Sequence, residues 1–157
     1  MTSSGQKITV LERIKRDFKT INLGIFFDEA TRNYPSRIAI IDLTEAEPRS
    51  YTYTQLEIEV RRAAQALAAG GLRRRDRCVI ALPNGAEFLG AFLGALRLGV
   101  IPVPINYRLG ADTMHKIVSD ANCRAIVGNH TDAATCCRIA DDLDMEIRLS
   151  TEPNKPD

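Results

Sequence analysis

Residues 77–106 read RCVIALPNGAEFLGAFLGALRLGVIPVPIN, and a complete strand, helix, strand unit is legible in them. Positions 78–82 form a short apolar run, too short for a helix and bounded by Arg77 and Pro83, which predicts a strand buried on both faces. Asn84 is placed to cap a helix with its side-chain oxygen, and Glu87, three residues on, to reach back to the Asn84 amide. The helix predicted through Leu98 carries Phe88, Leu89, Ala91, Phe92, Leu93, Ala95, Leu96 and Leu98. It is apolar over most of its circumference and must be covered on more than one side. Gly90 and Gly94 have the GxxxG spacing of associating membrane helices, but the segment is too short to span a bilayer. The spacing therefore predicts a close approach of a strand or helix inside a soluble core. Gly99 stands where a left-handed C-cap residue is wanted, and 100–103 returns as a second apolar strand ended by Pro104. A crossover of this length joins parallel strands.

Outward from this unit, strands and helices alternate. On the N-terminal side, 38–43 reads as a strand, and 50–54 alternates Ser, Tyr, Thr, Tyr, Thr, so the two can pair as a hairpin. Thr54 and Glu57 have capping-box spacing for a helix through Ala69, closed by Gly70 and Gly71. Its apolar residues are Leu56, Val60, Ala63, Ala64 and Leu67, and its wet side carries Glu57, Glu59, Arg61, Arg62 and Gln65. Earlier, 25–34 predicts a helix with Ile25, Phe26, Ala30 and Tyr34 on one face, ended by Pro35, and 10–18 a short helix with Leu11, Ile14 and Phe18 together. On the C-terminal side, Met114, Ile117, Val118 and Ala121 have amphipathic helical spacing, followed by a strand at 125–127. Thr131 or Asp132 can cap a further helix reaching Ala140, and 146–149 is a last strand. This order predicts an α/β fold, a mostly parallel sheet flanked by helices. Residues 1–22 read as an N-terminal extension, 23–150 as the α/β subdomain and 151–157 as a polar tail.

The 157 residues suffice to bury a sizeable core without disulfide or metal. Charged residues are 26% and the formal net charge is +1, which argues against a nucleic-acid or membrane-surface partner. The apolar stretch 88–96 cannot span a bilayer, and the start MTSSGQK lacks the features of a secretory signal, so a cytoplasmic location is expected. Cys78, Cys123, Cys136 and Cys137 have neither a CxxC spacing nor a histidine pair at ligand spacing, so no metal site is expected.

Candidate chemistry is sparse. Arg73, Arg74, Arg75 and Arg77 form the one conspicuous charge run and can contact phosphates, but Asp76 interrupts it and no aromatic is interleaved, so a solvated turn is the reading taken. His115 and His130 have no nucleophile or carboxylate at a recognisable spacing and read as exposed, structural histidines. Cys136 and Cys137 point in different directions on their helix. TSSGQK has Ser, Gly and Lys7 close together but no strand before it, and no GxGxxG or P-loop follows any strand.

Several stretches in order resemble the beginning of the adenylate-forming enzymes, the superfamily of acyl-CoA synthetases, luciferases and peptide-synthetase adenylation domains. They are NYPSRIAI from Asn33, SYTYTQL from Ser50, the long core from Asp76 to Asn106, and ANCRAIVG ending at Gly128. The segment PINYRL, 104–109, is similar to acyl-CoA synthetases rather than to peptide-synthetase domains. The resemblance implies a parent enzyme that joins a carboxylate to ATP, releases pyrophosphate, and passes the acyl group to the thiol of CoA. It implies ATP, magnesium and CoA for that parent. The phosphate-binding loop, the ribose-binding acid and the catalytic lysine of the family all fall downstream of the matched region. No catalytic, cofactor-binding or metal residue is therefore assigned here, and this chain alone is expected to be inactive. Asn106, Tyr107 and Arg108 are carried over as substrate-vestibule candidates, with a loop packing on the rest of the enzyme as the alternative. Arg75 departs from the family, whose members commonly have Gly in that turn. The implied partners are the remainder of the adenylating enzyme and, through an uncovered apolar helix or sheet edge, a second copy. The alternative is a free-standing, non-catalytic interaction module with the same fold.

Overall fold

The computed structural model describes residues 22–25, 28–43, 47–129, 133–145 and 147–151. The expected helix at 10–18, the TSSGQK start, His130 and the Thr131 or Asp132 cap lie outside them. Strand β3 (Arg77–Ala81) runs inside a four-stranded sheet of order β4-β3-β5-β6, with β4 (Ile101–Pro104), β5 (Ala125–Asn129) and β6 (Ile147–Thr151). Every pairing is parallel. A separate antiparallel hairpin joins β1 (Ile38–Asp42) and β2 (Arg49–Thr52), as the alternation at 50–54 predicts.

The pleat divides the strand residues between two cores. Cys78, Ile80, Leu82, Ala125, Val127 and Ile147 face one side, where they meet Leu67 of helix α2 (Tyr53–Ala69) and Ala91 and Ala95 of helix α3 (Ala86–Leu98). Val79, Ala81 and Ile126 face the other, against Met114 and Val118 of α4 (Ala111–Asp120) and Ile139 and Ala140 of α5 (Ala133–Asp142). A sheet covered on both faces needs strands that are apolar at every position, which is what 78–82 supplies.

The edge strand β4 is blunted by its own sequence. The Ile101 and Ile105 amides donate inward to the carbonyls of Asp76 and Ile80, so positions 102 and 104 turn their nitrogens outward. Both are proline, which has no N–H to offer a further strand.

Helix α3 is organised as predicted at its C-terminus and differently at its start. Gly99 takes the left-handed cap (φ 73°), and its amide donates to Leu96. At the other end the N-cap is Gly85, which has no side chain to cap with, so the Asn84–Glu87 box does not form. The carboxylate of Asp42, at the end of β1, accepts from the Ala86 amide at 3.3 Å instead. A Cβ on Gly85 would lie 2.5 Å from that carboxylate oxygen, so glycine here makes room for a cap delivered from the hairpin. Asp42→Ala should lose about 1 kcal/mol in urea unfolding, the usual worth of a helix N-cap; an unchanged midpoint would show that the carboxylate does not support the helix.

Three further expectations shift. The capping box of α2 is Thr52 with Gln55, two residues before the predicted Thr54 and Glu57. The helix therefore begins at Tyr53, where the predicted strand at 50–54 has already ended, and Thr54 Oγ1 donates to the Pro35 carbonyl. The single helix expected over 25–34 is instead a 3-10 turn, Leu23–Ile25, and a short helix α1, Asp28–Asn33, with Ile25 and Tyr34 exposed.

Glu57, assigned from the sequence to the wet side of α2, is 8% exposed. Arg97, in the last turn of α3, grips it with both terminal nitrogens, Nη1 to Oε1 at 2.8 Å and Nη2 to Oε2 at 3.0 Å. The same guanidinium donates to Asp28 Oδ1 at 2.7 Å and, through Nε, to the Gly24 carbonyl at 3.0 Å. Arg61 adds a contact to Glu57 Oε1 at 2.6 Å. Burial pushes the Glu57 carboxyl up, but the hydrogen bonds from Arg97 and Arg61 outweigh it, and the net shift is downward. The hydrogen bond to Glu57 likewise raises Arg97 against the opposing effect of burial. One arginine thus ties Gly24, Asp28, α2 and α3 together.

Gly90 and Gly94 do bring a helix close. A Cβ on Gly94 would lie 2.9 Å from the Ala64 nitrogen and from the Val60 carbonyl oxygen, and one on Gly90 would lie 3.1 Å from the Glu59 Cβ. Helices α2 and α3 therefore cross with backbone nearly on backbone.

Candidate functional site at the carboxyl end of the sheet

In open α/β sheets the ligand crevice forms beyond the carboxyl ends of strands whose following helices leave toward opposite faces. Here α3 leaves β3 toward one core, while α4 and α5 leave β4 and β5 toward the other. The loops at that end of β3 and β4 are residues 82–85 and 105–110. The second begins with Ile105, whose amide is held by the Ile80 carbonyl.

Asn106, Tyr107 and Arg108 all sit in this loop. The side-chain oxygen of Asn106 accepts from the Arg108 amide at 3.0 Å, and its carbonyl accepts from the Leu109 amide. This turn leaves Asn106 and Arg108 exposed. Tyr107 is half-buried and packs on the core under α4 and α5. Arg108 lies back over it, with the guanidinium carbon 5.4 Å from the ring centroid and Nε donating to the Tyr107 hydroxyl at 3.0 Å. The ring anchors the loop, and two polar side chains remain to meet a ligand or further polypeptide.

The other sequence candidates do not converge there. His115, expected to be exposed, is half-buried because its helix α4 faces α5 across a groove of about 500 Å³ that it lines with Lys116 and Arg138. Cys78 is fully buried and its thiol is pushed up to about 12 by that burial, with Cys123 adding to the shift, so it is no nucleophile. Cys136 is buried and Cys137 exposed, as their adjacency on a helix requires.

The described residues of the loops after β3 and β4 do not form a site for a nucleotide or magnesium. Among the described residues there is no group of three His, Cys, Asp or Glu side chains that could hold a metal. Lys116, the one described lysine, is on α4 in the groove with His115 and not in the loops after β3 and β4. No reaction step can be derived from this loop alone.

Comparison with known proteins gives these loops a context. The family model described as AMP-binding enzyme matches residues 27–155. Long-chain-fatty-acid–CoA ligase FadD13 of Mycobacterium tuberculosis is 38% identical over 76 residues, 48% of this chain and 15% of the relative. Crotonobetaine/carnitine–CoA ligase of Citrobacter koseri is 30% identical over 107 residues, 68% of this chain and 21% of the relative. Among solved structures, a Mycobacterium tuberculosis fatty acyl CoA synthetase superposes with a TM-score of 0.72 at 27% identity, over 83% of this chain and 26% of that one. A benzoate CoA ligase from Burkholderia xenovorans LB400 shares the fold, with a TM-score of 0.73 over 87% of this chain and 27% of that one. This sequence thus spans well under a third of the length of each of these relatives. With the parallel sheet, its two helical layers and the family match over most of its length, this chain belongs to the AMP-binding enzymes, and its fold is that of the N-terminal part of the acyl-CoA ligases.

Proposed function

We propose that this chain is the N-terminal subdomain of a cytoplasmic acyl-CoA synthetase-like enzyme. In its complete form such an enzyme adenylates a carboxylate with ATP and magnesium, releases pyrophosphate and transfers the acyl group to CoA. The observation that carries this reading is the family match over residues 27–155 on a fold shared with acyl-CoA ligases. Relatives named as ligases of fatty, aromatic and carnitine-type acids support a carboxylic acid as the substrate class, with fatty acids among the candidates. In this assignment the chain supplies scaffold rather than chemistry. Asn106 and Arg108 line the entrance to the acyl site, and Tyr107 anchors them. The partner is the remaining polypeptide of the enzyme or, in its absence, a second copy meeting the exposed Ile38, Ile41 and Leu43 of the hairpin. No helix among the described residues is long and apolar enough to cross a membrane.

The test is ATP–pyrophosphate exchange with hexadecanoate, benzoate and crotonobetaine. It is run on this chain and on the product of the longest reading frame that contains it. The expected result is exchange above background only in the longer protein. Exchange by this chain alone would overturn the assignment of its chemistry to other segments. Exchange by neither would overturn adenylation and leave a non-catalytic interaction module with the same fold.

A further inference from the structure

We propose that the cavity at the amino end of the parallel sheet binds a small phosphate-bearing anion. The turns entering β3, β5 and β6 meet there around a space of about 500 Å³, lined among others by Arg75, Arg77, Cys123, Arg124, Asp76 and Asp144. Three arginines from two loops distant in sequence thus line one concavity. Asp76 is already engaged: its Oδ2 accepts from the Arg73 amide at 2.7 Å and from Arg124 Nη1 at 3.0 Å. That contact holds Arg124 in place. Arg75 and Arg77 have no carboxylate partner within salt-bridge distance among the described residues, and Asp144 is the one other acid in the lining. Two unpaired guanidinium groups beside a fixed third offer planar forks of N–H donors, which match the oxygens of a tetrahedral dianion. No aromatic side chain among the described residues lines the cavity, so the anion itself, rather than an attached base, would be recognised.

The backbone points the same way. Arg75 sits at φ 75°, a conformation that glycine takes freely and a long side chain takes at a cost. Asn122 (φ 48°) and Asp144 (φ 52°) share the cavity wall and the sign of φ, but they follow the ends of α4 and α5, where such residues ordinarily stop helices. Arg75 terminates no helix. Its amide is docked on the Gly99 carbonyl at 2.8 Å, and its strained position places an arginine in the same lining as Arg77 and Arg124.

The test titrates the intact chain with orthophosphate and with glycerol 3-phosphate, against chloride at equal ionic strength. The readouts are thermal unfolding and the alkylation rate of Cys123, a half-buried thiol in the cavity wall. Saturable stabilisation is expected, with severalfold slower alkylation of Cys123 and none at Cys137, which is exposed on α5. Arg77→Ala should weaken binding about tenfold, the effect of losing one charge-assisted contact. Arg75→Gly should weaken it similarly while raising the melting temperature of the free chain, a combination that a purely structural turn residue cannot give. Arg138→Ala, which removes an exposed cation on α5, should bind as the parent does. Protection by orthophosphate alone identifies a free ion, and protection by the monoester as well identifies a phosphate group on a larger molecule; either upholds the site. It is overturned if chloride reproduces the stabilisation, if Arg75→Gly binds as tightly as the parent, or if Arg138→Ala loses as much affinity as Arg77→Ala.

Discussion

Arg97→Ala should lose about 3 kcal/mol of folding stability, the scale for removing one partner of a buried ion pair. The cost lies less in the attraction lost than in what remains. Glu57, 8% exposed between α2 and α3, would keep a charge with only Arg61 beside it, and Asp28 and the Gly24 carbonyl would lose their shared donor. Arg97→Lys should recover only part, because an ammonium group cannot meet both oxygens of Glu57 and still reach Asp28. The Glu57→Leu/Arg97→Met pair should be far less damaging than Arg97→Ala, since it removes the stranded charge along with its partner. Urea unfolding of the four chains settles the matter. If Arg97→Ala and the double variant lose equally, the network contributes by packing and not by charge.

The same network has a pH signature. The Glu57 carboxyl is lowered from an ordinary value of 4.5. A carboxyl depressed in the folded state contributes stability that is fully present above its unfolded value and is lost as pH falls through the folded one. Between neutrality and pH 5 the parent should therefore keep this contribution, and below about 4.5 it should lose it. The difference in stability between the parent and the double variant should shrink over that acid range, a comparison that cancels the carboxylates outside this network.

Gly94→Val is the second severe substitution expected. The atoms a new Cβ would strike are the Ala64 nitrogen and the Val60 carbonyl oxygen, both backbone, at 2.9 Å. Neither can swing aside, so α2 and α3 must separate along their whole contact. Alanine at position 94 should already cost about 2 kcal/mol as overpacking, although alanine in a helix interior is intrinsically favoured over glycine by about 1 kcal/mol. Valine should cost more, enough to leave the chain largely unfolded at 37 °C if its stability is at the low end for domains of this size. Circular dichroism melts check the order glycine, alanine, valine. Adding Ala63→Gly should rescue little, because the Ala63 Cβ, at 3.0 Å, is only one of three atoms in the way. A neutral Gly94→Ala would mean that the helices do not cross this closely.

The candidate site was less legible than the fold. Position after a strand selected Asn106, Tyr107 and Arg108, and the structure puts all three in one loop at the carboxyl end of the sheet. Nothing in their spacing foretold that Tyr107 would be the anchor and Arg108 would lie on its ring. The cavity at the opposite end was invisible for a related reason. Arg73 to Arg77 read as a solvated turn because Arg124, Cys123 and Asp144 are distant in sequence and reach it only through parallel pairing of β3 with β5 and β5 with β6.

By itself the amino-acid sequence determined the layered α/β architecture, because the information needed is local. Apolar runs of strand length, helical periodicities and glycine or proline punctuation are properties of neighbours along the chain, and they located β3, α3, the Gly99 cap and a close approach at Gly90 and Gly94, which packing assigned to a helix. What only the tertiary structure decided are the places where polar groups find partners far away. Asp42 replaces Asn84 as the cap of α3, across 44 positions, and Arg97 buries Glu57 across 40. A carboxylate's choice between water and a buried guanidinium depends on which helix faces it. That is settled by packing, which puts Glu57, read from the sequence as part of the wet side, on the covered face of α2 with Val60, Ala64 and Leu67.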